Sequence, residues 1–252
     1  MDLSQYERFW EIDQNHWWFV ARRKIVDCII TSVISPKENL QILDIGTGSG
    51  GMVPLLSKYG QLTATEPDQA TFEYASGRFK EYPRVQFLHG GWESLDLPPQ
   101  QFDLVTAFDV LEHCENDVLA LKRWGSWLHE GGSLLLTIPA FSSLWGINDV
   151  LSHHYRRYTK ETLTKALQAA DFKVDKISYC NALMFGPVWI SRNIKDRIDR
   201  WLAAGKEVSP WDFGMPPKPL NAVLEKSFSW ETSVLPDHDL PFGTSLICVA
   251  HI

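Results

Sequence analysis

Three glycines alternate directly after an acidic residue at the end of an apolar run. Segment 43–50 has the sequence LDIGTGSG. Glycine at these positions allows backbone angles that are closed to other residues, and it lets a ligand lie against bare main chain. The helix expected next points unpaired N–H groups at that ligand and favours an anionic group such as a carboxylate. The segment predicts a small-molecule site at a strand–helix turn, and its binding candidates are Asp44, Gly46, Thr47, Gly48 and Gly50.

The glycine spacing alone leaves the ligand open. Gly46, Gly48 and Gly51 also fit the dinucleotide fingerprint, and Glu66 stands at a distance that suits a ribose contact. Asp44 separates the alternatives. The negative charge of its carboxylate does not stabilise a bound pyrophosphate, which is also negative, whereas it attracts a ligand with an ammonium and a sulfonium group. A tight strand–helix turn with a capping acid is the purely structural interpretation. We favour a cationic ligand.

The D-x-G-x-G-x-G pattern closely resembles motif I of the class I S-adenosylmethionine (SAM) methyltransferases, and the segment FDVLEH at 108–113 resembles their motif IV. With Glu66 and the Gly131-Gly132 turn, the resemblance covers roughly residues 40–180 and the last strand. It implies a bacterial small-molecule methyltransferase with a doubly wound, mostly parallel seven-stranded α/β sheet. It further implies that SAM is the methyl donor and that S-adenosylhomocysteine is the product.

The same resemblance implies roles around SAM. Glu66 accepts both ribose hydroxyls, which suits a carboxylate that faces a diol. Gly91 stands where the family commonly has an acidic residue, so that side-chain contact to adenine is missing. Trp92 stacks on the ring, supplies a backbone N–H or packs in the core. Asp68 caps a helix or approaches the adenosine. The remaining expected cofactor neighbours are Pro67, Phe108 beside the methionine part, and Arg22 or Arg23 near the carboxylate.

A dense run of polar and aromatic residues, SHHYRRY at 152–158, follows the fifth predicted strand. Histidines that titrate near neutral pH can act as a general base. His154 is the first candidate for this base and His153 the second, while Asp109 is placed to face the methyl group or the acceptor. The histidines favour O-methylation over N- or C-methylation. The candidate acceptor contacts are Trp18, Trp145, Tyr155 and Arg156.

A divalent metal is the alternative use of these side chains. Asp109, Glu112 and His113 can share one face of a helical turn, and carboxylate and imidazole groups suit Mg²⁺ or Mn²⁺, more so if His153 or His154 joins. Ubiquinone-pathway and small-RNA 2′-O-methyltransferases use an arrangement of this kind. The segment is also similar to metal-free relatives, in which it serves structure, so we expect no metal.

Strand and helix patterns must position these residues. The sequence predicts strands at 40–45, 62–66, 85–89, 102–108, 133–138, 172–180 and 244–251, with helices at 51–59, 68–79, 115–128 and 159–170. Alternating strands and helices predict a doubly wound sheet, with ligands at the carboxyl ends of its strands. The predicted units are an N-terminal helical lid (1–36), a SAM-binding Rossmann-like core (37–181), a cap insertion (182–241) and the last strand (242–252).

The cap contains an amphipathic stretch that begins at Ile190 and continues through Ile194, Ile198, Trp201 and Leu202. Basic residues at 192, 195 and 200 lie on its opposite face. We expect this segment to cover the active site. A second interpretation is that it rests on a membrane surface and admits a lipid-linked acceptor.

Composition restricts the partners. The chain has 252 residues, a net charge of −7 and four scattered cysteines, and its pI of about 5.6 argues against nucleic acid. The cysteines lack paired spacing, which predicts reduced thiols. The first residues lack the apolar core of a signal peptide, and we expect a cytoplasmic protein.

Two functions from other classes of protein are the alternatives to a methyltransferase. They are an NAD-linked oxidoreductase and a non-catalytic SAM-binding protein.

Overall fold

The computed structural model describes residues 3–34, 39–190, 192 and 214–252. Within these residues, seven strands form a sheet in the order β3-β2-β1-β4-β5-β7-β6. All neighbouring strands are parallel except β7, which is antiparallel to both β5 and β6. The predicted seven-stranded, mostly parallel α/β fold is confirmed. The strands are β1 Leu40–Ile45, β2 Gly60–Glu66, β3 Val85–His89, β4 Phe102–Phe108, β5 Leu128–Pro139, β6 Lys173–Cys180 and β7 Ser245–His251.

Helices precede the sheet and connect its strands. The described helices are α1 Leu3–Asn15, α2 Trp17–Ile29, α3 Val53–Leu56, α4 Gln69–Arg78, α5 Asp117–Trp127, α6 Ile147–Leu151, α7 Lys160–Ala169, α8 Phe185–Ile190 and α9 Lys218–Ser229. Side chains cap several of them as their sequences predict. Asp68 accepts a hydrogen bond from the Thr71 backbone N–H at the start of α4, and Asn116 accepts one from the Leu119 N–H at the start of α5.

Two apolar layers cover the two faces of the sheet. Successive strand residues point to opposite faces, so Leu134 and Leu136 of β5 pack with Trp124 of α5, whereas Leu135 packs with Ile25 of α2. The layer with α5 and α7 and the layer with α2, α3 and α9 are both fully buried at their centres. Burial on both faces explains why the central strands are almost continuously apolar.

Two predicted helices have different bounds in the structure. The helix expected at 51–59 is only α3, Val53–Leu56, and the left-handed Gly50 extends the turn before its start. The predicted helix at 115–128 ends at Trp127, and β5 begins at Leu128. Gly131 and Gly132 therefore lie inside β5 and do not form a turn before it, and the register with β4 shifts there.

The described parts of the predicted cap lie in two places. α8 follows β6 directly, whereas α9 packs on α2, where the Asn221 side chain accepts a hydrogen bond from the Trp17 N–H and donates one to the Asn15 carbonyl. Ile194, Ile198, Trp201 and Leu202 lie outside the described residues. None of the helices in the described ranges has both the length and the apolar character needed to cross a bilayer.

Candidate active site

A cavity of about 750 Å³ opens at the carboxyl edge of the sheet, a size typical of small-molecule sites. Its walls come from α1, α2, the turn after β1, the segments after β4 and β5, and α8. Its lining includes Trp18, Arg22, Asp44, Gly46, Thr47, Gly48, Phe108, Asp109, Glu112, His113, Pro139, Asp149, His154, Arg157, Asn181, Met184, Val188 and Arg192.

The glycine turn after β1 has the predicted backbone. Gly46, Gly48 and Gly50 have φ values of +68°, +59° and +88°, the left-handed region that favours glycine. The Thr47 N–H donates to the Thr65 carbonyl on β2 at 2.8 Å, which anchors the turn. A side chain at Gly51 would meet the Asp13 carboxylate of α1 within 2.6 Å. The N-terminal helices therefore approach the bare backbone of the turn.

Asp44 lies buried beneath this turn. Its Oδ1 accepts a hydrogen bond of 2.7 Å from the Thr106 hydroxyl on β4. Burial raises the pKa of Asp44 to about 6, although the Thr106 hydrogen bond and the Arg22 charge act in the opposite direction. A cation that entered the cavity would favour the ionised carboxylate.

Glu66 ends β2 next to the turn. Its two carboxylate oxygens accept hydrogen bonds from the Gly48 N–H at 2.9 Å and the Asp68 N–H at 3.0 Å. Burial raises the pKa of Glu66, and these two N–H groups partly oppose the shift. Each oxygen keeps a further lone pair, so the carboxylate can still accept bonds from a ligand.

Arg22 reaches from α2 to the end of β4. Its Nη2 lies 2.8 Å from Asp109 Oδ2 and donates to the Thr137 hydroxyl at 2.6 Å. The guanidinium carbon lies 4.9 Å from the centre of the Trp18 ring and 5.7 Å from that of Phe108, within the range of cation–π attraction. Asp109 has a φ of +56°, a left-handed conformation that is uncommon for a residue other than glycine.

His154 follows the short helix α6. Its Nδ1 lies 2.9 Å from Asp149 Oδ1, and its ring lies perpendicular to that of His113, with 4.6 Å between the centres. His153 has a φ of +55° and is exposed. The chain thus turns at His153 and places His154 in the cavity wall.

Glu112, His113 and His154 form a compact group of possible metal ligands, with their ligand atoms within 4.8 Å of one another. Glu112 is fully buried, and neither oxygen of its carboxyl group has a hydrogen-bond partner. Burial, and then the charge of Asp109, raise the pKa of Glu112 well above its usual range. The grouping differs from the set proposed from sequence, since His154 takes the place of Asp109.

Comparison with known proteins agrees with this geometry. Residues 43–136 match the methyltransferase domain family. Within residues 43–136 the chain belongs to this methyltransferase domain family. It is 30% identical over 168 residues to a Mycolicibacterium smegmatis protein named as a probable SAM-dependent methyltransferase, covering 65% of this chain and 62% of the relative. It is 26% identical over 170 residues to a ubiquinone biosynthesis O-methyltransferase of Azorhizobium caulinodans, covering 62% and 66%.

The chain thus spans less than two thirds of the length of these two relatives. A solved structure of a Bacillus halodurans protein, provisionally described as a methyltransferase, has a TM-score of 0.60. That match is 16% identical and covers 90% of this chain and 97% of the other. At this identity the similarity supports the fold.

The methyltransferase domain has unsatisfied polar atoms at the cavity. Among the described residues, Arg22 Nε, Asn181 Oδ1 and both carboxyl oxygens of Glu112 are buried without a hydrogen-bond partner, and all three residues line the cavity. Buried polar groups in folded proteins are nearly always hydrogen-bonded. Their concentration here fits a cavity that receives a polar ligand.

The structure places only about half of the residues predicted for the methyltransferase site in the wall of the cavity. Trp18, Arg22, Asp44, Gly46, Thr47, Gly48, Phe108, Asp109 and His154 line the cavity. Tyr155 is exposed, and Arg156 pairs with Asp117 at 2.9 Å. The described lining does not include Gly50, Glu66, Pro67, Asp68, Gly91, Trp92, Trp145, His153, Tyr155 or Arg156.

Sequence reasoning missed several cavity residues. Asp149 carried no motif, although an acidic residue five positions before His154 was a usable signal. Asp13 pairs with Arg23 at 2.9 Å, and burial raises the pKa of Asp13. Nothing in the sequence pattern distinguished Asn181, Met184 or Val188 from ordinary residues after a strand.

Proposed function

We propose that this chain transfers the methyl group of SAM to a hydroxyl group of a small-molecule acceptor, with His154 as the general base. The observation that carries the proposal is that one cavity is lined by both the glycine turn after β1 and His154. A methyl donor and a proton acceptor would therefore share one chamber, which is the main requirement for this transfer.

On the donor side, SAM supplies an electrophilic methyl group when it is bound. Asp44 would hold the ammonium and Glu66 the ribose hydroxyls. Arg22 Nε is buried and unpartnered, so it would bind the carboxylate. Phe108 would border the methionine part.

On the acceptor side, His154 would take the proton of the attacking hydroxyl. Pro139, Met184 and Val188 line the same cavity, and their apolar surfaces would exclude water from the reacting groups. Asp109 faces this space with its Oδ2 held by Arg22. Asp109 would therefore form part of the cavity wall that contacts the acceptor, and it would not act as the base.

The test is transfer of labelled methyl from SAM into a cell extract that is then divided into aqueous small molecules, lipids and macromolecules. We expect label in the aqueous fraction. H154Q should lower the rate at least tenfold with little change in SAM affinity, since a positioned base contributes ~10²–10⁴-fold. H153N is the matched comparison, because Asn tolerates the left-handed backbone, and it should retain the rate. A normal rate in H154Q contradicts the assignment of the base.

A second candidate is metal-assisted O-methylation. It is favoured by the unpartnered Glu112 carboxyl beside His113 and His154. These residues would hold Mg²⁺ or Mn²⁺, which would act as a Lewis acid on an acceptor oxygen. Titration with Mn²⁺ decides between the ligand sets: E112Q should abolish binding, and D109N should retain it, since Asp109 is engaged by Arg22. Loss of methyl transfer in EDTA would support this candidate, and absence of Mn²⁺ binding to the unsubstituted protein would contradict it.

The same extract experiment addresses the two remaining alternatives. Trp189 and Ile190 of α8 are exposed next to Val188, which lines the cavity, and this apolar surface could contact a lipid. Label in the lipid fraction would support a lipid-linked acceptor. SAM binding without transfer into any fraction would support a non-catalytic SAM-binding protein.

A further inference from the structure

Asp149 is a buried carboxylate that four groups approach with hydrogen bonds. Its Oδ1 accepts from His154 Nδ1 at 2.9 Å and from Arg157 Nε at 2.7 Å. Its Oδ2 accepts from the Gly146 N–H at 2.7 Å, from Arg192 Nη1 at 2.9 Å and from Arg157 Nη2 at 3.1 Å. The Asp149 side chain is 0% exposed, so water does not compete for these bonds.

The geometry makes this carboxylate an acceptor only. Guanidinium and backbone N–H groups can only donate, and those of Arg157, Arg192 and Gly146 occupy both oxygens of Asp149, which leaves no place for a proton on the carboxyl group. An ionised carboxylate can only accept hydrogen bonds. The hydrogen in the bond to His154 must therefore reside on Nδ1.

The local backbone holds the His154 ring in place. The left-handed His153 ends α6, and the His154 N–H donates back to the Asp149 carbonyl at 2.9 Å, as in a Schellman motif. The Tyr155 N–H donates to the Glu112 carbonyl at 2.8 Å. Asp149 therefore contacts His154 through both its side chain and its main chain.

The second oxygen of Asp149 connects this corner to another segment. Arg192 follows α8, and its Nη1 also donates to the Leu144 carbonyl at 2.5 Å. One guanidinium from each of two segments thus converges on the carboxylate that also holds His154. The charged and titratable groups around the ring are Asp149, Arg157, His113 and Glu112.

We propose that Asp149 is a positioning residue that fixes His154 as the Nδ1–H tautomer and leaves Nε2 as its basic nitrogen. The proposal rests on the proposed function, in which His154 takes a proton. The Nδ1 atom is occupied by Asp149, so only Nε2 can accept the proton of a hydroxyl. A carboxylate in this position restrains the ring and stabilises the imidazolium that forms.

The direct test is the tautomer of His154 in the unsubstituted protein, without SAM or acceptor. The chain has eight histidines, and comparison with H154Q assigns the His154 imidazole ¹⁵N resonances. We expect neutral His154 to show a protonated Nδ1 and an unprotonated Nε2. A neutral His154 with its proton on Nε2 overturns the proposal, whatever the protein catalyses. If the Nδ1–H tautomer is found but no methyl transfer is detected, only the proposed function is contradicted.

D149N extends the test to the reaction. The amide can donate to Nδ1, so we expect a mixture of His154 tautomers. The rate of label transfer into the extract fraction that accepts methyl should fall at least ~10-fold, with SAM affinity changed less than threefold. D117N is the matched control. Asp117 holds Tyr158 and Arg156 in the same loop without contacting His154, so D117N should keep the His154 tautomer. An unchanged rate in folded D149N overturns the proposal, and if D149N does not fold, the spectrum of the unsubstituted protein still decides.

Discussion

Arg22 in α2 and Asp109 after β4 form an ion pair of 2.8 Å at the carboxyl edge of the sheet. Their side chains are 13% and 29% exposed. The pair joins the N-terminal helices to the strand that ends at the cavity. It also explains why Asp109 does not join the cluster of Glu112, His113 and His154.

The Arg22–Asp109 pair should couple energetically. In a double-mutant cycle of R22M and D109N, we expect an interaction of ~1–3 kcal/mol in the free energy of unfolding, since neighbouring residues in one network are non-additive. The more exposed pair of Lys24 and Glu225, which joins α2 to α9 at 2.7 Å, is the control and should give under ~1 kcal/mol. Urea titration of the four variants in each cycle measures both values, and additive effects of R22M and D109N would contradict the prediction.

SAM affinity should depend on pH through Asp44. Because the pKa of Asp44 is raised to about 6, the carboxylate is mostly protonated at pH 5 and ionised at pH 7. Binding of an ammonium favours the ionised form, so affinity should rise roughly tenfold from pH 5 to pH 7 and then level off. Calorimetric titration with SAM at several pH values measures the slope.

D44N is the corresponding variant, and it should bind SAM at least tenfold more weakly at pH 7 with a flatter pH profile. The residual slope would report Glu66, whose pKa is also raised by burial. Equal pH profiles for D44N and the unsubstituted protein would remove the assignment of Asp44 to the ammonium.

Substitution of alanine for two glycines, Gly48 and Gly77, should change the free energy of unfolding in opposite directions, although both positions have room for a Cβ atom. A Cβ atom at Gly48 or at Gly77 would meet nothing within 4 Å. Gly48 is left-handed at +59°, so G48A should lower the free energy of unfolding by ~1–2 kcal/mol. Gly77 lies within α4, where alanine is the better helix former, so G77A should raise it by up to ~1 kcal/mol. Denaturant unfolding of both variants checks the signs, and a stabilising G48A would disprove the strain argument.

Glu231 should stabilise the chain where it leaves β6. The carboxylate is 1% exposed and accepts hydrogen bonds of 2.8 Å from the N–H groups of Asn181 and Ala182. In E231Q the amide NH₂ replaces one carboxylate oxygen, so one of the two backbone N–H groups would lose its acceptor. We expect a loss of ~1–3 kcal/mol in the free energy of unfolding, the cost of a buried unpaired polar group.

Thermal and denaturant unfolding of E231Q measure this loss. E225Q provides the comparison, because Glu225 lies in the nearby α9 and pairs with an exposed lysine. An equal, small effect of the two variants would show that the buried bonds of Glu231 contribute little.

The local elements of this protein could be predicted from its sequence. The bounds of β1, β3 and β4 match the prediction, and Asp68 caps α4 as expected. These features depend on residues a few positions apart, through apolar alternation and hydrogen bonds to neighbouring backbone. The alternating left-handed glycines after β1 were predictable for the same reason, since only glycine adopts that backbone without strain.

Only the tertiary structure decided which functional side chains meet. Asp109 could serve as a metal ligand or as the partner of a cation, and packing of α2 against the end of β4 placed Arg22 on it. Arg156 has the same side chain as Arg157, yet Arg156 pairs with Asp117 while Arg157 reaches Asp149 in the cavity wall. Asp149 itself gained its partners because α6, the chain before α7 and Arg192 beyond α8 converge there. Such pairings depend on strand order and helix packing, which bring together segments that are distant in sequence, so a short sequence pattern carries no record of them.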